Sequence, residues 1–225
     1  TILDSSYKLN SYFIAPKRIE SQEVVNGQVL DKETFNEFDS SYLLKKETII
    51  LDNGDSLVNE YLRPMDVQSR SSIIKNMISA NIITPVIEQR SSKNGEYLSI
   101  QGTKYDAVNT NFLPTEVYSY NRGLGAYSET INGQVFSSAL ERKVVMSYDS
   151  FGNIQEVEDE AGRVTTYLWG YNGLYPVAKI ENASYSEVVS LIDTGILVNP
   201  NSQPQLKTML DDLRNEPALS HAQIT

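Results

Sequence analysis

Carboxylates are the reactive groups this chain has in quantity. It carries 29 Asp and Glu against 19 Lys and Arg, a formal charge of −10. They crowd "DSFGNIQEVEDEAG", residues 149–162. A calcium loop needs oxygen ligands at its first, third and fifth positions and glycine at its sixth. With Asp149 first, Phe151 takes the third position and Gly152 arrives two places early. "LDNGDSLVNE" fails in the same way, and its Asp52 and Asp55 suit turns, where Asp bonds to nearby backbone. A glycosidase needs two carboxyl groups in distinct environments, and nothing here tells two of them apart. The remaining reading is a solvated strand face: in "EVEDEA", alternation places Glu156, Glu158 and Glu160 on one side, toward water.

Other chemistries have less to stand on. The chain has no cysteine, so disulfides, thiolate nucleophiles and Cys-ligated metals are excluded. His221, near the end, is the single histidine, which leaves no material for a His-based triad or a multi-His zinc site. "NRGLGAYSE" holds a G-x-G with neither a following helix pattern nor GK[ST]. "NAS" at 182–184 matches a glycosylation acceptor but reads better as a helix entry. The acidic balance, with no basic stripe, argues against nucleic acid, and no apolar run reaches membrane-spanning length. We expect no catalytic residue, no cofactor and no metal.

Aromatic residues carry the binding potential. Tyrosine occurs 14 times, and Tyr167, Trp169, Tyr171 and Tyr175 lie close together. Alternation puts Tyr167, Trp169 and Tyr171 on one strand face. Such a face either stacks on a sugar ring or packs beneath C-terminal helices, and packing is the favoured reading because Trp is usually well buried.

The elements that position these groups follow from turn chemistry. Asn-Gly occurs at 26–27, 53–54, 94–95, 132–133 and 172–173. Both residues accept positive φ, as a type I′ hairpin turn requires. Flanks rich in β-branched and aromatic residues predict strands. Gly152, Gly162 and Gly173 mark the three turns of a meander over 141–181. "SRSSIIKNMISANI" predicts a short helix near 71–81, with Ser71 or Ser72 as its cap. Ser184 and Glu187 make a capping-box spacing before a helix that Gly195 would stop, and another helix spans 204–214. The chain opens on Thr1-Ile2 and closes on "AQIT", which reads as a strand cut from a longer array with its edge unpaired.

One segment is more specific. "YDSFGNIQEVEDEAGRVTTYLWGY" resembles the YD repeat of the RHS family, through Tyr148, Asp149, Gly152, Asn153, Ile154, Asp159, Gly162, Thr165 and Tyr167. The continuation "WGYNGLYPVAKIENASYSEV" is similar to RHS-like surface proteins of Bacteroidetes. Elsewhere the likeness is one of style, as in "FDSSYLLKKETIILDNGDSLVNEYL". The resemblance implies a mainly β fold: antiparallel hairpins in an extended twisted sheet, with two or three short helices, two of them near the C-terminus. It divides the chain into a degenerate hairpin region (1–140), a YD meander (141–181) and a C-terminal helical segment with a truncated strand (182–225). It implies a non-catalytic structural or interaction segment of a large bacterial surface or secreted protein, for display, adhesion or encapsulation. Its partners would be adjacent YD-repeat segments, and a carbohydrate or another surface protein. The alternative is a carbohydrate-binding module that uses the aromatic face. The family's self-cleaving aspartates have no counterpart in this sequence.

Overall fold

The computed structural model describes residues 14–127, 139–199 and 203–225. The chain is mainly β, and its strands form one open antiparallel sheet of 12 strands in chain order. It divides into two compact units, 1–62 with 89–99, and 63–88 with 100–225.

The first unit holds β1 (Arg18–Val25), β2 (Gln28–Phe38), β3 (Leu44–Leu51) and β4 (Ser56–Leu62), with most of β5 (Glu88–Lys93) and the start of β6 (Glu96–Val108). β1 and β2 meet at Asn26-Gly27, with φ of 52° and 80°. β5 and β6 meet at Asn94-Gly95, with 51° and 84°. Both turns therefore have the two positive φ values that their residue types allow. Asn53-Gly54 differs. The loop closes from Leu51 to Asp55, and among its residues only Gly54 has positive φ, 82°. This longer hairpin is built on a right-handed turn followed by a left-handed glycine. The Asn132-Gly133 pair lies outside the described residues.

The second unit carries the rest of β6, β7 (Asn111–Tyr120), β8 (Leu140–Tyr148), β9 (Ile154–Asp159), β10 (Val164–Gly170) and β11 (Tyr175–Glu181). It also holds α1 (Ser72–Ser79), whose N-cap Ser71 accepts from the Ile74 N–H at 3.2 Å. Ile74 and Met77 of α1 are fully buried.

The predicted helix after Ser184 is two helices. α2 (Tyr185–Val189) starts at the expected capping box, where Ser184 and Glu187 satisfy each other's backbone N–H groups. α3 (Thr194–Val198) begins because Asp193 accepts from Gly195 N–H at 2.8 Å, so Gly195 opens a helix and does not stop one. With α4 (Gln203–Arg214) the described residues contain four short helices. The last three cover β10 and β11: Leu168, Ile180 and Val188 are fully buried among Leu206, Met209, Leu210 and Leu213. Burial of each such side chain contributes about 1.5–3 kcal/mol. "AQIT" is not left open. β12 (Gln223–Ile224) pairs with β11, and Thr225 and Lys179 exchange both backbone bonds at 2.9 Å.

Among the described residues the ladder skips a residue beside each of five aromatics: Phe38, Tyr105, Tyr118, Tyr148 and Trp169. The extra residue always lies on the following strand, as Gln155 does opposite Tyr148 and Val177 opposite Trp169. Such bulges bend a strand and increase its twist.

Candidate functional site

Asp149 closes the β8–β9 loop from within. Its Oδ1 accepts from the N–H groups of Phe151 and Asn153, both at 2.8 Å. The backbone closes in parallel: Asp149 N–H donates to the Asn153 carbonyl at 2.9 Å and Gly152 N–H to the Asp149 carbonyl at 3.2 Å. Gly152 sits at φ 88°. The β9–β10 loop repeats this bond for bond. Asp159 Oδ1 accepts from Ala161 at 2.9 Å and Arg163 at 3.0 Å, and Gly162 has φ 74°. There the Arg163 guanidinium also binds Asp159 Oδ2 at 2.6 Å and, with the loop N–H bonds, holds that carboxyl below the usual carboxylate range.

A third copy lies in the first unit. Asp39 Oδ1 accepts from Ser41 at 2.8 Å and Leu43 at 2.9 Å, with Tyr42 at φ 62° where the others have glycine. Its signal in the sequence is the aromatic-Asp pair Phe38-Asp39 with Leu at the matching distance. In all three copies the Asp carboxylate is committed to its own loop, so its chemistry is that of a turn clasp. Among the described residues no group of three or more acids or histidines stands ready to hold a metal.

The other motif residues are placed by the sheet. The Tyr148 hydroxyl donates to the Pro114 carbonyl at 2.5 Å, from β8 onto β7, and burial pushes its pKa up, with Tyr105 adding to the shift. Pairing of β9 with β10 ends at Glu156–Thr166. Beyond it, the Ile154 carbonyl accepts the Trp169 indole N–H at 2.8 Å. Tyr167 stands opposite Lys179.

The expected aromatic row does not continue to Tyr171. That residue leaves the strand at φ 54° and packs against the helical cluster, edge-on to Tyr175 with ring centroids 5.8 Å apart. Thr166 and Leu168 of β10 are fully buried, and Leu168 belongs to the core shared with the helices. Tyr167 and Trp169, both half-buried, border a cleft of about 210 Å³ with the exposed Phe151 on one side and Tyr185, Thr194 and Leu197 of the helices on the other. Glu156 also departs from expectation. It lies opposite buried Thr166, half-buried, and accepts from the Tyr185 N–H at 2.6 Å, so its carboxylate helps cap α2 and is not left to water alone.

Neighbouring tips are tied together. Asn153 Nδ2 donates to the Gly173 carbonyl at 2.9 Å, and Asn109 Nδ2 to the Ser150 carbonyl. The β10–β11 turn has three successive positive φ values, at Tyr171, Asn172 and Gly173. Its N–H groups are taken by the end of α3: Tyr171 donates to Leu197 at 2.7 Å and Asn172 to Val198 at 3.0 Å. In the first unit, Asp55 receives Lys93 at 2.7 Å and Asn94 at 2.8 Å, and with Asn53 these bonds lower its pKa to about 2.

Two charged clusters have no clear signal in the sequence because their ion-pair partners lie 12 or more residues apart along the chain. Fully buried Glu88 receives Arg70 at 3.1 Å and the Tyr127 hydroxyl at 2.5 Å. Glu116 receives Lys104 and the Tyr118 hydroxyl, each at 2.6 Å. Burial and the Glu116 carboxylate push Tyr118 up to about 12. Burial alone would raise Glu116, but the bonds from Lys104 and Tyr118 hold it low. Lys104 to Glu116 ties β6 to β7, whereas Arg70 and Tyr127 reach Glu88 from outside the strands.

No protein-family model and no curated protein matches the chain.

Proposed function

We propose that this chain is a non-catalytic structural and interaction segment of a larger bacterial surface or secreted protein of the YD-repeat type, serving display, adhesion or encapsulation. The observation that carries the reading is the recurrence of one clasp, at Asp39, Asp149 and Asp159, with the same pattern of hydrogen bonds each time. A repeated hairpin loop in a sheet whose strands follow chain order is what a unit added side by side would leave behind. The carboxylates a hydrolase would use are, at these loops, spent on backbone N–H groups.

Protease shaving of intact source cells, followed by peptide mass spectrometry, tests the location. Peptides from the exposed β1–β2 hairpin should appear without lysis. Their appearance only after lysis would overturn a surface or secreted role.

A second reading, a carbohydrate-binding module, is supported by the cleft where Phe151, 60% exposed, adjoins Tyr167 and Trp169. Glycan-array binding that Phe151→Ala abolishes would favour this reading over the first.

A further inference from the structure

The helical layer covers the sheet with one side and leaves a groove on another. Leu206, Leu210 and Leu213 of α4 are buried in the core. Beside them, four residues apart on α4, stand Thr208 and Asp212, and with Glu216 just past the helix end they face a groove of about 410 Å³ between α4 and residues 191–196. This volume lies within the roughly 300–1,000 Å³ typical of ligand clefts.

The floor of the groove is apolar, made by Leu191, Ile196, Met209 and Leu213. Leu191 is 39% exposed, an apolar side chain left open to water. The rim is acidic on both walls, with Asp193 on one side and Asp212 and Glu216 on the other, and among the described residues no Lys or Arg lines it. Arg214, on the same helix, is held by Asp211 at 2.6 Å. α4 has 12 residues, so it is about 18 Å long at roughly 1.5 Å per residue. A partner can lie along it for several turns.

We propose that this groove docks a cationic amphipathic helix. An apolar stripe would fill the floor, as amphipathic helices do in hydrophobic grooves. Lys or Arg flanking that stripe would meet the carboxylates on both walls. An acidic helix or an anionic membrane surface would be repelled by the same rim and by the overall charge of −10. The inference rests on shape and charge, and it stands whether or not the YD-repeat reading does.

The probe is a synthetic peptide of about four helical turns, with Leu along one stripe and Lys on both flanks, titrated into the isotope-labelled full chain and followed by amide NMR. The expected result is saturable shifts at Leu191, Ile196, Thr208 and Asp212, with affinity that falls as salt rises. A matched peptide with Glu for Lys should not bind. Asp212 is exposed, so Asp212→Lys should keep the spectrum of the folded chain and lower affinity about tenfold. No shifts, shifts scattered over other acidic surfaces, or undiminished binding by Asp212→Lys would overturn the proposal. So would binding of phosphatidylglycerol vesicles through these same residues.

Discussion

The side-chain amide of Asn153 donates to the Gly173 carbonyl at 2.9 Å and to Asp149 Oδ2 at 3.0 Å, so one nitrogen ties two neighbouring hairpin tips. Asn153→Ala removes both bonds. At about 1 kcal/mol net for each, and about 2–4 °C per kcal/mol for a chain of this size, melting followed by circular dichroism should fall by about 4–8 °C. An unchanged midpoint would show that the tips hold without the tie.

The fourth position of the clasp loops needs a left-handed backbone. Gly162→Ala meets no atom within 4 Å, so its cost is the strain of φ 74°, about 1 kcal/mol. Gly173→Ala adds a clash, because a Cβ there would lie 2.6 Å from the Phe151 ring. It should be clearly the more destabilising of the two. Tyr42→Gly runs the other way: Tyr42 is 65% exposed at φ 62°, and relief of its strain should stabilise by about 1 kcal/mol. Urea unfolding of the three variants checks the order.

Asp55 gives the chain an acid-sensitive tie. Its folded pKa of about 2 lies below the ordinary value of 3.8, so its contribution is fully present above the latter and is lost as pH falls toward the former. Melting of the chain against Asp55→Asn should therefore differ at neutral pH, and the difference should shrink from about pH 4 downward. Lys93→Met should raise the Asp55 midpoint in a carboxyl-carbon NMR titration. A midpoint of ordinary value in the unaltered chain would contradict the hydrogen bonding described.

Removal of residues 184–225 uncovers Leu168, Ala178 and Ile180 and takes away the strand that covers β11. The truncated chain should bind a hydrophobic dye and elute as aggregates in size exclusion. Within the full chain, Leu168→Ala should cost about 2–5 kcal/mol, as expected for a fully buried leucine. A truncated chain that stays monomeric with unchanged melting would make the helices an independent appendage.

What could be read from the residues alone is what short-range physics decides. Asn26-Gly27 and Asn94-Gly95 turn as expected because positive φ is a property of the residues themselves. Ser71 and the Ser184–Glu187 box cap helices because their side chains reach only their own first turn. Where the loop is short, as between β1 and β2 or β8 and β9, successive strands pair because no other partner is as near; the longer links 63–87 and 121–139 carry no such local reason.

The tertiary structure decided what depends on distant neighbours. Whether Glu156 meets water or the Tyr185 N–H depends on where α2 lands, 29 residues away. Tyr171 leaves the aromatic face because the end of α3 supplies carbonyls to its turn. The bulges beside Tyr148 and Trp169 shift register one strand at a time, and no local propensity encodes a skipped partner. Glu88 meets partners 18 and 39 residues away, Arg70 and Tyr127, and the groove between α3 and α4 likewise joins separate segments. Each helix there shows its apolar stripe in the sequence, but packing alone determines which part of a stripe is buried and which part is left open.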